Sequence, residues 1–148
     1  MDEEEAKVAR ENVELLKRAR EAFSRRDFDA LLPLISDEME LHPAIGGAFV
    51  GATTYTGREG MRRYWEDIME VIEDFQFEAV SFSVWRDYLI VPNRISGHGT
   101  TSGIDINAEM TFIWRIRDGQ LVWGATFFSR GEGLEAIGAS EDQLELIE

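Results

Sequence analysis

The sequence predicts a single α+β domain in which a curved antiparallel sheet wraps around N-terminal helices and encloses an apolar, ligand-sized pocket. Three observations carry this. Apolar residues recur at helical spacing through the first half of the chain. From Phe75 onward the pattern changes from helical to alternating. Turn signals at Arg86-Asp87, across Gly97 to Gly103, and at Asp118-Gly119 divide that alternating half. Helices followed by a long antiparallel meander make a two-layer arrangement with the helices on the apolar face of the sheet.

In the first predicted helix, about Ala6 to Ser24, Val8, Leu15, Leu16, Ala19, Ala22 and Phe23 form one stripe. Asp27 is placed to cap a short second helix carrying Phe28, Leu31, Leu32 and Ile35, with Pro33 tolerated in its first turns. Met39 to Pro43 reads as a short strand. Ala44 to Gly57, with glycines at 46, 47, 51 and 57, reads as a loop or irregular hairpin. A third helix is expected from Arg58 to about Asp74, with Met61, Tyr64, Trp65, Ile68, Met69 and Ile72 on one stripe. Four antiparallel strands follow. The clearest is Ile104 to Ile116, where Ile104, Ile106, Ala108, Met110, Phe112, Trp114 and Ile116 alternate with mostly polar residues. Gly133 to Gly138 is expected to form a final helical turn.

A chain of 148 residues with 44% hydrophobic content is enough for one core, so one domain over 1–148 is expected, ordered over about 8–138 with acidic, frayed ends. No run of about 18 apolar residues and no leader pattern is seen, which points to a soluble, cytoplasmic protein without membrane contact. The absence of cysteine fits a reducing compartment and removes thiolate nucleophiles, disulfides and cysteine-ligated zinc, while two histidines leave little for a metal site. No cofactor is called for. A formal charge of −14 opposes phosphate backbones and anionic lipid, so nucleic acid is excluded as a partner.

The strings RRDFDALLPLISDEMELHP, TGREGMRRYW, SGHGTTSGIDI and IRDGQLVWGATFFSRGEGLEAIG resemble SnoaL-like proteins of the nuclear-transport-factor-two-like superfamily. The resemblance covers nearly the whole chain. It implies a cone-shaped α+β barrel with a pocket between sheet and helices, an arrangement found in ketosteroid isomerases, polyketide cyclases and limonene-epoxide hydrolases. It implies no single activity, because fold and function separate in such a superfamily.

Ketosteroid isomerases place a general-base aspartate immediately before a proline in a similar strand, where this chain has His42-Pro43. His42 is therefore the acid/base candidate, with Glu40 on the same strand face to orient it. The two oxyanion donors of those enzymes have no counterpart, since Ala19 and Phe112 stand near their places, which disfavours steroid isomerisation. Arg94 matches an arginine of limonene-epoxide hydrolases and joins His42 and Glu40 as a catalytic candidate, but Ser96 and Thr126 stand where those enzymes carry aspartates, so epoxide hydrolysis by their mechanism is not expected. Pro92 could introduce a bulge that exchanges the directions of Asn93 and Arg94, which leaves open which of them faces the pocket.

The expected ligand-binding set is Trp65, Tyr64, Ser96, Met110, Phe112, Trp114, Thr126 and Phe128, suited to a flat, hydrophobic small molecule with one or two polar groups. Ile113, Trp123, Ala125 and Phe127 should point away from the pocket and form a homodimer face. Two readings stand nearly level. One is a cofactor-independent isomerase, cyclase, lyase or hydrolase with His42 as proton carrier; the other is a non-catalytic ligand-binding or dimeric interaction module.

Overall fold

The computed structural model describes residues 1–44 and 54–147, and the glycines at 46, 47 and 51 of the expected loop lie outside the described residues. Helix α1 (Glu3–Ser24) starts where the Asp2 side chain accepts a hydrogen bond from the Glu5 amide, with Glu3, Glu4 and Glu5 favourably placed in its first turn. Its stripe of Ala9, Val13, Leu16 and Ala19 is buried. Asp27 does cap the next helix, accepting from the Ala30 amide at 3.1 Å. That helix, α2 (Phe28–Leu31), is shorter than the sequence implied. Leu32–Leu34 tightens into a 3₁₀ turn around Pro33, and strand β1 (Ile35–His42) begins at once.

A two-residue strand β2 (Tyr55–Thr56) leads into α3 (Gly57–Val71), whose end runs directly into β3 (Ile72–Ala79). The remaining strands are β4 (Phe82–Trp85), β5 (Tyr88–Gly99), β6 (Asp105–Arg117) and β7 (Gln120–Phe127), followed by helix α4 (Arg130–Ile137), a 3₁₀ turn and β8 (Glu145–Ile147). The stretch before Arg86 is thus two strands, broken at Val80-Ser81, where the sequence pattern implied one. The Arg86-Asp87 and Asp118-Gly119 signals fall between strands, whereas β5 runs on through Gly97 to Gly99, so that the turn before β6 is confined to residues 100–104. Asp118 and Gly119 both have positive φ, 52° and 74°, the geometry a two-residue hairpin requires.

The curved sheet runs β2-β1-β7-β6-β5-β4-β8, with β3 also paired to β5, and it does not close. It is mixed: β1 pairs parallel with β7, for example His42 opposite Ala125. Nothing local in the sequence reports that long-range pairing. The β5–β6 ladder runs in unbroken register from Tyr88↔Arg115 to His98↔Asp105, so Pro92 introduces no bulge. Alternation therefore turns Asn93 inward, 2% exposed, and leaves Arg94 outside.

The main core lies between α1, α2, α3 and the inner sheet face, centred on Leu15, Leu31, Ile35, Met39 and Leu41. A second cluster joins Ile68, Ile72, Phe75, Ile95, Met110 and Phe112 at one end of α3. A third forms on the outer face, where α4 lays Leu134 over Ile90 and Ile113. The ends expected to fray are tied together instead: β8 pairs with β4, and the Met1 ammonium lies 3.2 Å from a Glu145 carboxylate oxygen. Among the described residues no helix is long and apolar enough to cross a membrane.

Candidate functional site

A cavity of 570 Å³ opens between α1, α3 and the inner face of the sheet. The alternation of β3 turns Phe75 and Phe77 toward it, β6 supplies Phe112 and Trp114, and α1 supplies Phe23. These rings meet edge-on or tilted, with centroids 5.5 Å apart for Phe77–Phe112, 6.1 Å for Phe112–Trp114 and 5.4 Å for Phe23–Phe77. Leu16, Ala19, Ile35, Leu41, Met61, Val91 and Leu121 complete the apolar wall.

Three polar groups reach this interior. The Asn93 amide nitrogen donates to the Val91 carbonyl at 2.9 Å, which leaves its carbonyl oxygen able to accept from a ligand. The Thr126 hydroxyl accepts from the Ala44 amide at 2.8 Å and keeps its own proton to donate. The Tyr64 phenol is held neutral, its pKa raised chiefly by burial, and its hydroxyl hydrogen-bonds to no other described residue. The mouth is charged, with Glu14, Lys17, Arg18, Arg20 and Glu21 from α1 and Glu78 from β3.

Of the residues the sequence singled out, Tyr64, Phe112, Trp114 and Thr126 line this cavity. Met110 is buried beside it in the second core cluster. Trp65 packs behind the wall, its ring 5.1 Å from Phe28 and 6.4 Å from Phe23, with its indole nitrogen buried and without a partner among the described residues. Ser96 and Arg94 are exposed on the other face of β5. Phe128, 60% exposed, lies past the end of β7 on a separate groove with Val80, Pro92 and Thr111.

The proposed acid/base pair is also outside. Met39 and Leu41 take the inward positions of β1, which sends Glu40 and His42 to the outer face. There His42 Nε2 lies 3.3 Å from a Glu40 carboxylate oxygen, its Nδ1 lies 3.3 Å from the Thr54 hydroxyl, and its ring sits 5.9 Å from that of Trp123. Glu40 does approach His42 as expected, but the cavity is on the far side of the sheet.

The outer face is not the open patch that the sequence implied. Ile113 is fully buried and Ala125 is 3% exposed, with Leu134 of α4 packed on Ile113. Trp123 and Phe127 remain partly exposed. The sequence reading overlooked Phe23, Phe75, Phe77 and Arg20 in the lining. Phe75 and Phe77 were legible, since Phe75, Phe77 and Ala79 alternate with Gln76 and Glu78.

Helices packed inside a curved, open sheet around an aromatic-walled cavity make an α+β fold of the nuclear-transport-factor-two-like kind. The chain belongs to the SnoaL-like domain family, whose model matches residues 16–123. Similar solved structures include a protein of this fold from Burkholderia pseudomallei K96243, with 18% identity, TM-score 0.71, and coverage of 87% of this chain and 98% of that one. Another is TerC co-crystallized with polyporic acid, with 18% identity, TM-score 0.71, and 87% and 99% of the two chains covered. A third, from Catenulispora acidiphila DSM 44928, has a ketosteroid isomerase-like fold and was solved with trimethylamine, at 19% identity, TM-score 0.67, and 87% and 95% coverage. Likeness at these identities establishes the shared fold. No curated protein matches the chain in sequence.

Proposed function

We propose that this protein binds a flat, largely apolar small molecule in the cavity, and that this binding, without proton transfer by His42, is its function. The carrying observation is the 570 Å³ interior, walled by aromatic rings and furnished with Asn93, Thr126 and Tyr64 as its few inward polar groups. Its size falls within the roughly 300–1,000 Å³ of small-molecule sites. Sparse, fixed polar groups on an apolar wall orient a ligand by one or two hydrogen bonds while the rings supply the affinity. The enzymatic alternative through His42 loses support because Glu40 and His42 sit across the sheet from this interior.

The test is tryptophan fluorescence during titration with a fused-ring ketone such as 2-acetonaphthone, since Trp114 lines the cavity. Saturable quenching is expected, and Ala19→Phe, which fills the interior, should abolish it. His42→Ala should leave the affinity within about twofold, as expected for a site with no shared partners. Saturation that Ala19→Phe leaves intact would place the ligand elsewhere. Loss of binding in His42→Ala would restore the histidine to the site.

A homodimer through the outer face is retained in a narrower form. Trp123 lies 5.8 Å from Tyr88, Tyr88 stacks on Trp85 at 6.1 Å, and His42 flanks Trp123, which leaves an aromatic strip beside the helix-covered Ile113. Sedimentation velocity at micromolar concentration checks this: a dimer is expected in the parent and a monomer in Trp123→Glu. The cysteine-free composition supports a cytoplasmic setting.

A further inference from the structure

Arg20 is the charged cavity-mouth group, among the described residues, that is partly buried rather than exposed, and the apolar reading leaves its chemistry unused. It projects from α1 beside the aromatic wall and is half-buried. Its Nε donates to the Phe77 carbonyl at 2.6 Å, which fixes the guanidinium plane against β3. The two terminal nitrogens have no hydrogen-bond acceptor and no carboxylate partner among the described residues. Arg58, Arg115 and Arg130, by contrast, pair with Asp37, Asp87 and Glu141; Arg18, also at the mouth, has no carboxylate partner among the described residues but is exposed, where water screens its charge. Lys17, also at the mouth, pairs with Glu14 at 3.4 Å.

A half-buried guanidinium held by one nitrogen, with its fork free, is an unfinished bidentate site. Its planar donors match a carboxylate or another planar oxyanion better than a neutral carbonyl. The mouth carries three acids and three bases, so it is locally neutral in a chain of formal charge −14. The acids there, Glu14, Glu21 and Glu78, are exposed, so one anionic group can reach Arg20 while a second would meet them.

We propose that Arg20 is the anion anchor of the cavity, and that the ligand class is a planar hydrophobic acid with its rings inside and a single carboxylate-type oxyanion at the mouth. This rests on the cavity reading above and specifies the ligand of that same site. The experiment compares 2-naphthoate with the neutral 2-acetonaphthone by isothermal titration calorimetry on the parent, on Arg20→Met and on Ala19→Phe. Arg20→Met should lower the naphthoate-to-ketone affinity ratio by about tenfold, the scale of losing hydrogen bonds to a charged group. A parent-like far-UV circular dichroism spectrum and urea midpoint serve as the folding control for each variant. Arg20→Gln, which keeps a donor for the Phe77 carbonyl, should lower the same ratio if the methionine variant does not fold.

A ratio unchanged within twofold in both folded variants overturns the anchor and leaves the cavity reading standing. Absence of ketone binding to the parent, or ketone binding undiminished in Ala19→Phe, overturns the cavity reading and the anchor with it.

Discussion

At the scale of single residues, side-chain direction decides which chemistry reaches the cavity. Strand β1 alternates Met39 and Leu41 with Glu40 and His42, and the core takes the apolar pair. A reading guided by reactivity turns the histidine inward, whereas one guided by burial turns it out. Gly124 shows a second residue-scale constraint. A Cβ there would collide with two ring carbons of Trp114, Cζ3 and Cε3, and lie 3.3 Å from Leu41 Cδ1, so the indole that walls the cavity packs against a bare backbone. Gly124→Ala must push that indole away, and overpacking of this kind costs about 1–3 kcal/mol. A lower urea midpoint with altered Trp114 fluorescence is expected; an unchanged midpoint would show that the ring moves freely.

At the scale of elements, the sequence marks the helical turn of α4 from Gly133 but not where that helix docks. Its sequence, RGEGLEAI, has a weak apolar pattern and two glycines, yet it covers the Ile113 part of the outer face that the sequence reading assigned to a partner chain. Gly133 explains the close approach, since a Cβ there would lie 3.1 Å from both Ile113 and Phe127 side-chain atoms. Leu134, 5% exposed, then closes over Ile90 and Ile113. Truncation to Leu134→Ala should cost about 2–4 kcal/mol in a chemical denaturation, the usual range for a buried leucine. The loss should be accompanied by increased self-association as Ile113 is uncovered. A cost under about 0.5 kcal/mol, typical of a surface position, would mean that α4 only rests on the sheet.

For the whole molecule, the fold was legible where one period persists over many residues. The alternation of β6, the stripe of α3 and the Asp118-Gly119 turn together define helices inside a meander. Long-range choices were not, because the parallel β1–β7 pairing and the docking of α4 leave no local periodic mark. Half of the expected ligand set, Tyr64, Phe112, Trp114 and Thr126, lines the cavity, since strand alternation and helix stripes place those residues inward. Trp65, on the same stripe as Tyr64, is one helical step too far round and meets Phe28 instead. The enclosed phenols also set a global property. Burial, with a hydrogen bond to Asp67, pushes Tyr55 from its ordinary 10.0 up to about 12, and burial raises Tyr64 as well. Between those values the folded state holds a proton that the unfolded chain has released, so the stability gradient with pH is negative there. The contribution of each phenol is fully present below about pH 10 and is lost as pH rises through the folded value. The urea midpoint should therefore fall between about pH 10 and about pH 12, and Tyr64→Phe, which removes one titrating phenol and leaves the Tyr55–Asp67 bond intact, should make that fall shallower. An equally steep fall in Tyr64→Phe would assign the alkaline loss to other groups.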